Sequence, residues 1–209
     1  MIGMEGSLPG DCVGRNDDSP VQKGDILAEK YRVERVLGVG GMGAVVAARH
    51  IDLDELRAVK VMLPRAVRVK ETVERFMREA RAVVRLKNPH VVEVYDVGRL
   101  AGGEPYMVME YLEGRSMRAM LDAGPLPTSE GVAHVQHALE AVAAAHAAGL
   151  VHRDLQPSNL YLTDDPDGNP FVKVLDFGIS TLTTEGQQGE MTTTSDVLGS
   201  PFYMSPEQM

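Results

Sequence analysis

A two-lobed α+β fold is predicted, in which a small antiparallel sheet carrying one helix precedes a mainly helical region, and three patterns predict it. From Tyr31 onward apolar residues alternate with charged ones, Tyr31, Val33 and Val36 against Arg32, Glu34 and Arg35, the period of a half-buried strand. Between Glu71 and Lys87 the residues Val73, Phe76, Met77, Ala80, Val83 and Val84 fall on one face of a helix. Strand-like and helical patterns then give way to polar motifs that crowd the C-terminal quarter of the chain.

Taken in order, residues 1–24 mix Gly, Asp, Ser, Pro and Asn with isolated apolar side chains and carry neither period, so a mobile leader is expected there. Residues 25–112 form the first lobe: strands around Tyr31–Val36, Ala44–Arg49 and Arg57–Leu63, the helix ended by Asn88-Pro89, and strands over Val91–Val97 and Pro105–Tyr111 split by Gly102-Gly103. In residues 113–209 an alanine-rich helix runs from about Ser129 to Ala148 and closes at Gly149. Asp167-Gly168 is a hairpin signal, and Thr181 to Gly199 reads as a hydroxyl-rich loop.

With 209 residues, 44% of them apolar, the chain can bury a sizeable core. Its one cysteine, Cys12, rules out a disulfide framework or a cysteine metal cluster. No apolar run approaches the roughly 18 residues of a membrane helix and no signal peptide opens the chain, so a cytoplasmic protein without a membrane segment is expected. The net charge of -9 is unevenly spread: residues 154–209 hold nine acidic side chains and one basic, Lys173. A solvated acidic loop explains this, as would a site that gathers Mg²⁺ and attracts basic partners. Nucleic acid is an unsuitable partner, because no aromatic-interleaved basic stripe is present.

Leu37-Gly38-Val39-Gly40-Gly41-Met42-Gly43-Ala44-Val45 contains G-x-G-x-x-G-x-V, in which glycines let backbone amides approach phosphate oxygens. A dinucleotide-binding fingerprint shares the string, but the run after it is strand-like here and not a helix start. Lys60 stands in an apolar strand run after Ala58-Val59, and Glu79 flanks the apolar stripe of the helix. The two are expected to pair, against the alternative that Glu79 pairs with Arg75 one helical turn away. His152-Arg153-Asp154-Leu155-Gln156-Pro157-Ser158-Asn159 and Asp176-Phe177-Gly178 complete the set. A carboxylate to take a hydroxyl proton, an amide oxygen for a metal and a second carboxylate for that metal are the parts phosphoryl transfer needs.

In this order and spacing the strings resemble a bacterial, eukaryotic-like Ser/Thr protein kinase, from about Tyr31 to the end. The resemblance implies ATP with Mg²⁺, or Mn²⁺ in its place, and a kinase domain over residues 25–209. It places Leu37, Gly38, Val39, Gly40 and Gly43 over the nucleotide, Val45 and Ala58 on the adenine, Met109 at the back of the pocket, and Glu110 to Leu112 as the hinge. Tyr161 falls under the adenine, where the family has a smaller apolar residue. Lys60, held by Glu79, would meet the phosphates; Asp154 would be the base; Asn159 and Asp176 would hold the metal. Pro157 and the string Gly199 to Glu207 resemble the Ser/Thr group. Arg153 implies switching by phosphorylation at Thr192, Thr193, Thr194 or Ser195, with a second copy of the kinase as one source of the phosphate.

Two departures are visible. Gln156 stands where the family usually has a lysine, so a slowed enzyme is expected, since an amide cannot neutralise charge. The chain also stops two residues past Ser205-Pro206-Glu207, short of further helices of the family's larger lobe, and the Ser129–Ala148 helix is therefore expected to expose apolar surface. A kinase-like module that binds nucleotide or partners without transfer is the alternative reading; a small-molecule phosphotransferase fits less well, given Arg153 and the long segment before Glu207.

Overall fold

The computed structural model describes residues 21–41, 43–68, 70–177 and 201–206, with the backbone alone at residues 65, 71, 75, 79 and 201. Most of the expected leader, the hydroxyl-rich loop with Thr192 to Ser195, Gly178 and Glu207 lie outside the described residues.

Six antiparallel strands form the first sheet: β1 (Ile26–Leu27), β2 (Tyr31–Val39), β3 (Gly43–His50), β4 (Leu56–Met62), β5 (Val94–Arg99) and β6 (Pro105–Glu110), in the order β1-β2-β3-β4-β6-β5. Alternation sorts its side chains onto two faces. Val33, Val46, Val59, Val61, Tyr106 and Val108 pack in one cluster together with Val21 and Leu27. Ala58, Met62, Met107 and Met109 enter the other, which continues into the rest of the molecule. Val21 is buried and the Gly24 amide donates to Val33 O at 2.8 Å, so packing against the sheet begins before residue 24.

A short helix, α1 (Pro64–Val67), precedes α2 (Lys70–Arg85). As its period dictates, α2 buries Val73, Phe76, Ala80 and Val83 against the second cluster. The strand expected to begin at Val91 begins at Val94. Val91 instead makes a single parallel bridge to Val174, and Val174 N donates to His90 O at 2.8 Å. Those backbone groups serve the seam between the two lobes and are therefore withheld from the first sheet.

Beyond the hinge, β7 (Arg115–Ser116), α3 (Met117–Ala123) and α4 (Thr128–Ala147) lead to the hairpin of β8 (Leu160–Asp164) and β9 (Pro170–Val174). The β8–β9 hairpin forms where Asp167-Gly168 signals one, and β7 joins it in a three-stranded sheet, β7-β8-β9, that the sequence does not predict. Ser116 Oγ accepts from the Ala119 amide at 3.2 Å and caps α3. Gly168, at φ +81°, makes the hairpin turn, where Asp165 Oδ1 accepts from the Asp167 and Asn169 amides. α4 buries His134, Ala138, Ala141 and Ala145, while Val132, Val135 and Leu139 on its other face stay half exposed, as the sequence leads one to expect. No described helix is long and apolar enough to cross a membrane.

Candidate active site

Strand alternation decides where Lys60 points. Val59 and Val61 enter the first cluster, so Ala58, Lys60 and Met62 share the face of β4 that turns toward α2. There Lys60 Nζ lies 2.6 Å from Asp176 Oδ1, with the side chains 15% and 30% exposed. The expected partner Glu79 sits on α2, but its side chain is outside the described residues.

The loop from His152 to Asn159 is stapled to the strand exit before Asp176 at two points, both on Leu175. The buried His152 ring meets Leu175 O through Nε2 at 2.8 Å, and Leu175 N donates to Asn159 O at 2.9 Å. Because the Asp154 amide donates to His152 Nδ1 at 3.3 Å, the ring proton belongs on Nε2. Burial pushes the His152 pKa down, against the opposing pull of the Leu175 carbonyl and of Asp154 and Asp176, so the ring is neutral at pH 7. Phe177, buried behind it, packs its ring 4.7 Å away. Arg153 and Asp176 both adopt left-handed backbone, φ +65° and +54°; such non-glycine strain persists only where surrounding contacts over-determine it.

Both oxygens of Asp154 are held by amides. Gln156 Nε2 donates to Oδ1 at 2.8 Å, and Asn159 Nδ2 donates to Oδ2 at 3.0 Å and to the Asp154 carbonyl at 2.8 Å. Pro157 opens the single 3₁₀ turn that brings Asn159 back toward Asp154.

Beside this cluster opens a cavity of about 650 Å³, walled by Leu37, Val45, Ala58, Met109, Glu110, Leu112, Tyr161 and Asp176, while Lys60 reaches it only through its pair with Asp176. The β2–β3 turn closes through Gly40 N to Gly43 O at 2.8 Å; Gly38, Val39, Gly40 and Gly43 do not wall the cavity themselves. Tyr111, within the expected hinge, also lines it, and sequence reasoning missed the other lining residues, Arg35, Val92, Glu113, Gly114 and Leu175. Arg35 could have been found as the residue two before Leu37 on the same strand; its guanidinium hydrogen-bonds Tyr111 Oη across the cavity mouth. Tyr161 does not fill the space, because its hydroxyl is drawn aside to donate to Gly114 O at 2.9 Å. Burial raises its pKa, as does the neighbouring Tyr111.

The hinge is braced from below, which no motif signalled. The Glu110 carboxylate accepts from the Glu93 amide and from Lys173 Nζ, both at 2.7 Å, and the Glu110 amide is committed to Glu93 O at 2.9 Å. Of the three hinge residues, Glu110 therefore cannot donate its N–H to a ligand.

Comparison with known proteins agrees with this geometry. Residues 31–209 match the protein kinase domain family. The serine/threonine-protein kinase pkn3 of Myxococcus xanthus is 40% identical over 196 residues, 93% of this chain and 36% of that protein. The serine/threonine-protein kinase PknL of Mycobacterium tuberculosis is 40% identical over 185 residues, 88% of this chain and 44% of that one. Thus the chain spans less than half the length of these curated relatives. A crystal structure of the Mycobacterium tuberculosis PknI kinase domain aligns at TM-score 0.66 and 35% identity, covering 77% of this chain and 64% of that one. Motifs, fold and the match over residues 31–209 place the chain in the protein kinase family.

Proposed function

We propose that this chain binds ATP in the cavity beneath the glycine turn and transfers its γ-phosphoryl group to Ser or Thr hydroxyls of proteins. One observation carries the reading: Asp176, which lines the cavity, pairs with Lys60, and the Asp154 loop is stapled to Leu175 next to it. In this reading Val45, Ala58, Met109 and Tyr161 enclose the adenine. Its polar edge meets the Glu110 carbonyl and the Leu112 amide, which has no hydrogen bond to the described residues. Leu37 and Val39 cover the nucleotide from outside, and Gly38, Gly40 and Gly43 keep the lid free of side chains over the phosphates. Lys60, steadied by Glu79, meets the phosphates; Asp154 accepts the hydroxyl proton as the acceptor oxygen attacks. Residues 25–112 and 113–209 act as two lobes of one kinase domain.

The donor set fits Mg²⁺, or Mn²⁺ in its place. Among the described residues no three His, Cys, Asp or Glu side chains gather as a metal cage, and a hard cation that keeps phosphates and waters as ligands needs only one or two protein oxygens. Asn159 turns its Nδ2 to Asp154, leaving Oδ1 on the other side, and Asp176 engages Lys60 through Oδ1 alone. When bound, the ion supplies neutralising charge to the phosphates.

The test is labelled-phosphate transfer from Mg²⁺-ATP to the chain itself and to an acceptor protein, with Asp154→Asn as matched control. Transfer should fall by at least about 10²-fold in the control, with nucleotide binding retained. Equal transfer in both proteins would refute the assignment of Asp154. Gln156 supports a second reading, a module that binds nucleotide without transfer, because among the described residues the hydrogen bonds to the Asp154 carboxylate come from the neutral amides of Gln156 and Asn159; nucleotide binding with no transfer in either protein would establish it.

A further inference from the structure

The two edges of the Asp154 carboxylate are not equivalent. Oδ2 faces Asn159, whose backbone oxygen accepts from Leu175 beside Asp176, so this edge belongs to the metal side of the site. Oδ1 is on the opposite edge, and its partner is the Gln156 amide at 2.8 Å. Lys60 pairs with Asp176 and in the function proposed above meets the nucleotide's phosphates, and among the described residues no ion pair includes Asp154. In the sequence Arg153 directly precedes Asp154, while residues 154–209 carry nine acidic side chains and Lys173 as the one basic side chain. Lys173 is in turn engaged by Glu110 at 2.7 Å.

Phosphoryl transfer spreads negative charge over the transferring group between donor and acceptor oxygens, and stabilisation comes from cations placed against it, supplied by the enzyme or by a second molecule. From these observations, and resting on the function proposed above, we infer that the acceptor itself provides the missing cation: this kinase is specific for Ser or Thr hydroxyls with an arginine or lysine close by, and Gln156 sets that requirement. The acceptor oxygen bonds to phosphorus while the bridging P–O bond breaks, its electron pair leaving on ADP and the hydroxyl proton passing to Asp154. The acceptor's guanidinium or ammonium lies on the Oδ1 side, where Gln156 hydrogen-bonds the base but leaves the charge unmatched. The acidic excess of this part of the sequence, which raises the local concentration of cationic peptides, then favours the acceptors that complete the site.

The experiment uses the full chain and paired Thr peptides that differ only in arginine against its neutral isostere citrulline, placed in turn at each position within three residues of the acceptor. In the wild-type chain kcat/KM should favour arginine by at least about tenfold at one or two positions, mainly through kcat. Gln156→Lys should collapse that ratio to about threefold or less, by speeding the citrulline peptides. The preference should also weaken as salt rises from 0.05 to about 0.5 M. An arginine-to-citrulline ratio that is the same in both proteins overturns the inference, even if both proteins transfer phosphate well. Absence of transfer to every peptide in both proteins overturns the kinase reading itself, and the inference with it.

Discussion

Three glycines of the lid share one sequence role, yet the structure separates them. A Cβ on Gly43 would lie 2.7 Å from the Val61 carbonyl oxygen, whereas one on Gly38 meets nothing within 4 Å and one on Gly40 only Gly43 O at 3.9 Å. The Gly43 clash is backbone against backbone, across the Gly43↔Met62 pair of β3 and β4, so no side-chain rotation relieves it. It falls roughly 0.7 Å short of ordinary contact at 3.4 Å, and the strands must part to recover it. Overpacking of this kind costs about 1–3 kcal/mol, and a weakened ladder bond adds to it. Gly43→Ala is therefore expected to cost about 2 kcal/mol, roughly 4–8 °C in Tm for a chain of this size. Gly38→Ala and Gly40→Ala should each cost less than about 1 kcal/mol. Their effect should appear in nucleotide affinity, falling at least about tenfold as a methyl group enters the approach to the phosphates. Thermal melts followed by circular dichroism, apt for a chain without tryptophan, and titration with a fluorescent ATP analogue measure both quantities. Wild-type stability in Gly43→Ala, or an equal loss of stability in Gly40→Ala, would refute the division of labour.

The seam between the lobes supplies two further predictions. Lys173→Met removes the cation from Glu110, whose side chain is only 19% exposed; discounting the cost of breaking a fully buried pair for this residual solvent gives about 1–2 kcal/mol. Urea denaturation should show the loss, with partial recovery in Lys173→Met/Glu110→Gln. The second concerns acid. His137 stacks on His90 at 4.2 Å, and burial first, then the neighbouring His90 and His134, hold its pKa below the ordinary value against the pull of Glu140; the pKa of His152 is lowered too. Below the unfolded value of about 6.5 the unfolded chain binds more protons than the folded one, so stability is full above that pH and declines as the pH falls from 6.5 toward the folded values. Denaturation midpoints at pH 7.5, 6.5 and 5.5 should decrease in that order, less steeply in His137→Phe, which keeps a stacked ring without the proton. An unchanged midpoint across this range would contradict the lowered pKa of His137 and His152.

How much is legible in the sequence depends on where each signal lives. The α2 stripe and the alternation of β4 are local patterns, and both hold in the structure: Phe76 and Ala80 are buried, and Ala58, Lys60 and Met62 share a face. The polar strings are legible because loop chemistry demands fixed residue types at fixed spacing. The hidden features are non-local. Nothing in the neighbourhood of Lys173 indicates that it reaches Glu110, 63 residues away. Nor does the run Val91-Val92 reveal that its backbone is diverted to β9, and so the strand begins three residues later than its apolar pattern does. The β8–β9 hairpin is legible at Asp167-Gly168, but its third strand is hidden for the same reason, since a two-residue strand such as β7 has no period of its own and exists only because β8 pairs with it.

Gln156 shows the difference between reading a residue and reading its contacts. In the sequence it is a subtraction, a charge missing from a familiar string, and subtraction predicts only a slower enzyme. In the structure its amide occupies one oxygen of Asp154 while Asn159 occupies the other. Two neutral donors orient the carboxylate without adding positive charge on its own side of a transferring phosphoryl group. If Asp154 is the base of the proposed reaction, its neutral partners make a demand on the acceptor, and the departure from the motif becomes a test of which acceptors react. If Gln156→Lys accelerated arginine-flanked and neutral acceptors equally, the residue would be a rate defect only; unequal acceleration would make it a determinant of specificity.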